Sequence, residues 1–197
     1  MHGAGSGPWV FADWPAAFPG LAVDAVDLQE GLELAAATMT SYASIVESCA
    51  RRLPHPVALC GWSMGGLVVL QAAERVAPHS VVLIEPSPPG EVQGFAPDVE
   101  LSPGVFDPEA VYGSFPPGMR ARPESQLARD ERKRGISVPD LSCPSLVVYG
   151  HAFADERGRP VAELYRSQQA FFPELDHWEL VQSVEVRRAV AAFLGVG

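Results

Sequence analysis

Short, mostly apolar runs alternate with amphipathic helical stretches along most of this chain. The runs are rich in Val, Leu and Ile, and Gly, Pro or charged residues bound them, which is typical of buried strands. The runs that predict strands are LAVDAV (21–26), VALC (57–60), SVVLIE (80–85), SLVVYG (145–150) and AFFPEL (170–175). Such strands need helices on both sides, because neither face of the sheet is polar.

The stretches between these runs have the patterns of helices. Apolar residues recur at a spacing of four and three between about Leu32 and Arg52, as on one helix face. Further helices are predicted over 65–77, from about Pro160, and over 184–194. Strands that alternate with helices predict βαβ units and an α/β fold, with a mostly parallel sheet covered by helices on both faces. A length of 197 residues fits a single domain, 1–197.

The composition excludes several classes of protein. The net charge of −10 makes nucleic acid or an anionic membrane surface an unfavourable partner. No apolar run approaches the roughly 20 residues that cross a bilayer, and the start MHGAGSGPWVF lacks the pattern of a signal peptide. We therefore expect a cytoplasmic protein. The three cysteines lack CxxC spacing, so neither a disulfide framework nor a zinc site is predicted, and we expect no metal or other cofactor.

One long interruption separates the third and fourth predicted strands. Residues from about 86 to 143 are dense in Pro and Gly and show no sustained period. A loop of this length inside a compact domain is usually functional. It contains Phe95, Phe106, Tyr112 and Phe115, which favours a lid that packs over a site rather than a floppy insertion.

The sequence CGWSMGG (60–66) carries the most specific chemical signal. Ser63 lies between a predicted strand and a predicted helix, where a nucleophile on a sharp turn has a strained backbone and needs small neighbours. Gly61, Gly65 and Gly66 meet that need. The helix that begins after Ser63 directs its free N–H groups at the turn, so the N–H of Met64 is a candidate donor to an oxyanion.

A serine nucleophile requires a base, and the base requires an orienting acid. His177 follows the predicted strand AFFPEL and is the preferred base. His151, directly after Gly150, leaves no acid from the loop after SLVVYG between it and Ser63 in the chain order nucleophile, acid, base. The preferred acid is Asp155, after SLVVYG. The alternatives are Glu156 and Glu85, whereas Asp176 adjoins His177 and reaches its ring poorly.

The chain resembles the α/β-hydrolase superfamily, in its branch of small bacterial esterase-like and thioesterase-like proteins. The resemblance covers nearly the whole length and rests on HGAG (2–5), VDLQEG (26–31), GWSMGG (61–66), CPSLVVYG (143–150) and LDHW (175–178). It implies a Ser63–His177–Asp155 triad and an oxyanion hole formed by the N–H groups of Met64 and Ala4. Relatives often carry the acid three residues after the glycine that ends its strand, whereas Asp155 is five after Gly150.

A second departure concerns the start of the chain. The family has a strand directly before the HG motif, but here Met1 precedes His2 and Gly3. Three arrangements would compensate. LAVDAV pairs directly with VALC, another chain covers the sheet edge in a homo-oligomer, or the natural protein begins upstream.

These observations favour a serine hydrolase that cleaves a small-molecule ester or thioester through an acyl-enzyme. Two alternatives use the same fold. One is a relative in secondary metabolism that opens lactones or cleaves another bond, and the other is a degenerate member that only binds a ligand. The Gly-rich GAGSG (3–7) does not predict a phosphate loop, because no strand precedes it and no Lys-Ser/Thr pair follows.

Overall fold

A computed structural model describes residues 1–196 of the chain. Its strands are β1 (Ala58–Trp62), β2 (Ser80–Ile84), β3 (Val105–Phe106), β4 (Glu124–Ser125), β5 (Ser145–Tyr149) and β6 (Gln168–Phe171). Its helices are α1 (Met39–Ala50), α2 (Met64–Val76), α3 (Gly90–Gln93), α4 (Pro108–Tyr112), α5 (Gln126–Arg134), α6 (Arg159–Leu164), α7 (His177–Gln182) and α8 (Val184–Phe193). Short 3₁₀ turns lie at Pro8–Phe11, Pro15–Ala17 and Leu34–Ala36, and a π-helical turn lies at Ala154–Gly158.

The main sheet is parallel, with the strand order β1–β2–β5–β6. Every residue of β2 and β5 is buried, and their side chains alternate between two apolar clusters. Val81 and Leu83 pack with α1, α2 and α6 on one face. Val82 and Ile84 pack with α8 and the first 3₁₀ turns on the other. The predicted α/β class, with helices on both faces of a parallel sheet, is confirmed.

The first helix is shorter than the predicted stretch 32–52. Thr38 ends the preceding segment, and its hydroxyl accepts the Ser41 N–H at 3.0 Å, while the Ser41 hydroxyl accepts the Thr38 N–H at 3.3 Å. This reciprocal capping fixes the start of α1 at Met39. Apolar spacing alone extended the prediction too far, because the residues before the cap form only a 3₁₀ turn.

The predicted strand LAVDAV forms no ladder with any described strand. Residues 22–26 have no regular secondary structure, and Leu21 and Val23 are exposed. The predicted strand at 21–26 is therefore wrong, and of the three arrangements considered for the chain start, direct pairing of LAVDAV with VALC does not occur among the described residues. An apolar groove of about 480 Å³ runs between this segment and β1, with walls that include Trp14, Phe18, Leu21, Val23, Leu59 and Val82.

Met1 covers only the carboxyl end of β1. Its α-amino group donates to the Cys60 carbonyl at 2.6 Å, and its carbonyl accepts the Trp62 N–H at 3.0 Å. In a parallel strand, the N–H and C=O groups of alternate residues point to the same edge of the sheet. The backbone groups of Ala58 therefore point to the same edge as those of Cys60 and Trp62, and they face the groove. An oligomer that covers this edge stays a prediction.

The interruption at 86–143 contains more regular structure than its composition predicted. β3 and β4 pair in an antiparallel ribbon, and α5 follows directly after β4. The helix α5 was not predicted. Only Ala128 and Asp130 of its nine residues are buried, so its sequence shows almost no periodic spacing of apolar residues. Among residues 1–196, no helix is both long enough and apolar enough to cross a membrane.

Candidate active site

Ser63 lies on the turn between β1 and α2, and its backbone is strained. Its φ of 56° and ψ of −123° fall in a region that side-chain-bearing residues rarely adopt, at a cost of about 1–3 kcal/mol. Hydrogen bonds hold the turn on both sides, since the Ser63 N–H donates to the Ile84 carbonyl at 3.0 Å and its carbonyl accepts the Ser87 N–H at 2.8 Å. The surrounding chain therefore enforces the sharp turn predicted for a nucleophile.

The three predicted glycines are required by close packing. A Cβ on Gly61 would lie 2.3 Å from the Gly65 carbonyl oxygen, and one on Gly65 would lie 2.3 Å from the Met1 carbonyl oxygen. A Cβ on Gly66 would lie 2.5 Å from Cβ of Pro86. Any larger residue would push α2 away from β1, from the chain start or from the loop after β2.

His177 and Glu85 form the central polar contact of the site. His177 begins α7, and its Nδ1–H donates to Oε2 of Glu85 at 2.5 Å. Glu85 follows β2 directly and is fully buried, and its other oxygen, Oε1, accepts the Gly150 N–H at 3.0 Å. Because both carboxylate oxygens are engaged, Glu85 holds the imidazole in one orientation and leaves Nε2 as the free acceptor.

The structure does not bring the predicted acid, Asp155, to His177. Asp155 lies in the π-helical turn after β5, its side chain is 84% exposed, and it pairs with Arg159 one turn later. Glu85, an alternative in the sequence, contacts the imidazole instead. The reason is geometric, since the turn after β5 projects Asp155 outward, whereas Glu85 ends the neighbouring strand.

The remaining sequence candidates also lie away from the imidazole nitrogen. Glu156 and His151 are exposed. The Asp176 carboxylate accepts the Trp178 and Glu179 N–H groups at 2.8 and 2.7 Å, so it caps α7. Asp176 thereby fixes the helix that begins with His177.

Aromatic rings surround His177. The Trp62 ring centroid lies 4.9 Å from that of the imidazole, and the Trp62 Nε1–H donates to the His177 carbonyl at 2.9 Å. Phe153 approaches edge-on at 5.7 Å. The insertion reaches the same cluster, because Phe115 contacts Trp178 at 4.7 Å. Burial lowers the pKa of His177, and the hydrogen bond to Glu85 opposes that shift.

The HG loop lies against Ser63. A Cβ on Gly3 would be 3.0 Å from the Ser63 Cβ. Buried His2 fixes the loop, since its Nδ1 binds the Gly3 carbonyl at 2.9 Å and its Nε2 accepts the Leu28 N–H at 3.1 Å. Within residues 1–196, neither the Ala4 N–H nor the Met64 N–H donates to a protein group. Neither predicted oxyanion donor is therefore used by a protein acceptor within these residues.

A buried carboxylate that the sequence did not reveal anchors the same loop. Glu124 in β4 is fully buried and accepts the Gly5 N–H at 3.1 Å and the Tyr42 hydroxyl. The Arg122 N–H donates to the Gly5 carbonyl at 2.8 Å. Burial and the charge of Glu124 raise the pKa of Tyr42. Because these partners are distant in sequence, no local pattern could have indicated the contact.

The comparisons with known proteins agree with this architecture. Residues 1–194 match the alpha/beta hydrolase family, so the chain belongs to that family. No curated protein matches the sequence.

Solved structures with low sequence identity share the fold. Tomato methylketone synthase I complexed with 2-tridecanone is 16% identical, with a TM-score of 0.69 over 99% of this chain and 96% of that chain. A pyrethroid hydrolase from Sphingobium faniae is 17% identical, with a TM-score of 0.64 over 98% and 95% of the two chains. A monoacylglycerol lipase from Paleococcus ferrophilus is 18% identical, with a TM-score of 0.61 over 98% and 91%.

Proposed function

We propose that this protein is a serine hydrolase that cleaves a small ester or thioester through a covalent acyl-enzyme. The observation that carries the proposal is the His177–Glu85 hydrogen bond of 2.5 Å, at the strand ends where the strained turn presents Ser63. His177 would act as general base, and Glu85 would hold its tautomer and stabilise the imidazolium. Glu85 thus replaces Asp155 in the triad.

In the first half-reaction, Ser63 Oγ attacks the acyl carbon while its proton passes to Nε2 of His177. The carbonyl oxygen becomes an oxyanion, which the N–H groups of Met64 and Ala4 would bind. A single such donor typically contributes 10²- to 10³-fold to kcat. The imidazolium then gives its proton to the departing alcohol or thiol.

In the second half-reaction, water replaces the leaving group. Nε2 of His177 takes a proton from the water, whose oxygen attacks the acyl carbon. The carboxylic acid departs as Ser63 Oγ recovers its proton. The contact between Phe115 and Trp178 supports a lid role for the insertion, because excluding bulk water strengthens the interactions with the oxyanion.

Covalent labelling of Ser63 tests the proposal. A fluorophosphonate probe should phosphonylate Ser63 in the folded protein and leave other serines unmodified, because in the proposed triad His177 activates Ser63. Peptide mass spectrometry locates the adduct, and heat-denatured protein is the control. If Ser63 resists the probe while small molecules raise the Tm, the protein is a ligand-binding member of the family and not an enzyme.

The lowered pKa of His177 predicts the pH dependence of hydrolysis. Only the neutral imidazole can accept the Ser63 proton, and burial keeps the pKa of His177 below 6.5. We expect kcat/KM for p-nitrophenyl acetate to be constant near neutrality and to fall on acidification through an apparent pKa below 6.5. Rates measured between about pH 4.5 and pH 8 check this. A fall in kcat/KM on acidification that is centred above pH 7 would contradict this prediction.

A further inference from the structure

Gly5, two residues after the HG motif, is held by residues of the insertion. Its N–H donates to Oε2 of Glu124 at 3.1 Å, and its carbonyl accepts the Arg122 N–H at 2.8 Å. A Cβ on Gly5 would lie 2.3 Å from Cγ of Pro108, so the insertion also packs directly against this glycine. Its φ of 69° lies in the left-handed region that glycine tolerates. The insertion therefore fixes both backbone polar groups of Gly5.

The carboxylate of Glu124 is itself held in place. It is fully buried, and its Oε1 accepts the Tyr42 hydroxyl from α1 and the Ser125 N–H at 2.9 Å. Ser125 is buried as well, and its hydroxyl donates to the Ala37 carbonyl at 2.6 Å. These contacts join β4 to α1 and to the segment before it. The acceptor that meets the Gly5 N–H is therefore part of a rigid framework.

The peptide group between Gly3 and Ala4 is fixed from within the loop. The Gly3 carbonyl accepts three hydrogen bonds, from His2 Nδ1–H at 2.9 Å, from the Ser6 hydroxyl at 2.8 Å and from the Ser6 N–H at 3.3 Å. The Gly3 C=O and the Ala4 N–H belong to one planar trans peptide group, so they point in opposite directions. The three donors on the carbonyl therefore set the direction of the Ala4 N–H.

Ala4 thus lies between two anchored peptide groups, one held within the loop and the other held by Glu124. Its own N–H donates to no protein group among residues 1–196. The loop lies against the nucleophile turn, since a Cβ on Gly3 would be 3.0 Å from the Ser63 Cβ. A displacement of about 1 Å at a reacting centre can lower a rate about 10²-fold. Loss of either anchor should therefore affect the chemical step.

We propose that Glu124 is a positioning residue for the oxyanion hole, which keeps the Ala4 N–H directed at the oxyanion by binding the Gly5 N–H. This inference rests on the proposed hydrolase function. It gives the insertion a part in catalysis beyond that of a lid, because the insertion supplies the anchor of the loop beside Ser63. Glu124 acts through the loop, so its loss should lower kcat. KM should change little, since both half-reactions use the same oxyanion donors.

A purely structural role is the alternative, because a buried carboxylate with several donors also stabilises the fold. A structural role lowers the Tm but leaves the kcat of the folded enzyme unchanged. Glu131 provides the matched control for this difference. It also lies in the insertion and accepts a distant backbone N–H, that of Met39 at 2.7 Å. Met39 begins α1 and is not part of the oxyanion loop.

The experiment measures hydrolysis of p-nitrophenyl acetate by variants of Glu124. Glu124→Ala removes the acceptor, and Glu124→Asp keeps the charge but is one methylene shorter. In both, kcat should fall about 10- to 100-fold, with KM within about threefold of the wild type. Glu124→Gln keeps the length, since its amide oxygen can accept the Gly5 N–H while its NH₂ group donates to the Tyr42 oxygen. Its kcat should stay within about fivefold of the wild type.

The controls Glu131→Ala and Glu131→Gln should keep kcat within about twofold of the wild type. A trifluoromethyl ketone inhibitor reports on the oxyanion hole directly, because attack by Ser63 converts it to a tetrahedral oxyanion. Its inhibition constant should rise in Glu124→Asp by the factor by which kcat/KM falls. Circular dichroism and the Tm show which variants fold. If Glu124→Ala does not fold, the comparison of Glu124→Asp with Glu124→Gln decides the question.

Four results would overturn the positioning role of Glu124. They are a folded Ala or Asp variant with the kcat of the wild type, an equal loss in Glu124→Gln, an equal loss in the Glu131 variants, and an unchanged affinity for the inhibitor in Glu124→Asp. Failure of the hydrolase proposal is a different result, because Ser63 of the wild type would then remain unlabelled in the fluorophosphonate experiment.

Discussion

Replacing Ser63 by Ala is expected to lower kcat for p-nitrophenyl ester hydrolysis by at least about 10⁴-fold, with the fold retained. The substitution removes only Oγ, and the oxyanion donors and His177 keep their positions. The release of p-nitrophenol by purified protein measures the loss in kcat. Circular dichroism spectra and the Tm show whether the variant is folded. Turnover within about tenfold of the wild type would exclude Ser63 as the nucleophile.

The Ser63→Gly variant separates the chemistry of this residue from its backbone strain. Both the Ala and the Gly variants lack Oγ, so both should be inactive. Glycine tolerates the positive φ of 56°, whereas alanine keeps the steric cost of a Cβ. We therefore expect the free energy of unfolding of the Gly variant to exceed that of the Ala variant by about 1 kcal/mol. Urea denaturation measures the difference, and a less stable Gly variant would contradict strain at this turn.

Replacing Glu85 by Gln is the second large perturbation, and kcat should fall by about 10²- to 10⁴-fold. The amide is nearly isosteric, but it carries no charge to stabilise the imidazolium. Its NH₂ group can also donate to Nδ1 and favour the wrong tautomer of His177. Rates for wild type and variant near neutral pH give the loss directly.

Asp155→Asn is the matched control for Glu85→Gln. Both variants replace a carboxylate by its amide, but Asp155 is exposed and, among residues 1–196, forms an ion pair with Arg159 alone. We expect kcat to stay within about twofold of the wild type. The reverse result, an inactive Asp155→Asn variant beside an active Glu85→Gln variant, would restore the sequence-based triad and reject the one proposed from the structure.

The nucleophile turn was predictable because its causes are local. Ser63 and its three glycines lie within the six residues 61–66, and each packing constraint follows from one sharp turn between a strand and a helix. The acid was not predictable in the same way. Asp155 and Glu85 both follow strands in the correct chain order, and only the direction of each side chain in three dimensions decides which one contacts His177.

The parallel sheet was predictable from its central strands, whose residues are apolar on both faces. The edge of the sheet was less predictable. LAVDAV has the composition of a strand, but a strand forms only where a neighbouring strand pairs with its backbone, and the local sequence cannot show whether such a neighbour exists. The insertion was hardest to predict. One of its anchors is the buried carboxylate of Glu124, whose partners Gly5 and Tyr42 lie 119 and 82 residues away.

The buried amino group of Met1 has a practical consequence for producing the protein. Its nitrogen takes the place of a peptide N–H beside β1, so residues fused ahead of it must leave along the groove that Trp14 and Leu59 line. An affinity tag at this end is therefore part of the sheet edge, and residues left after proteolytic removal of the tag would occupy the same path.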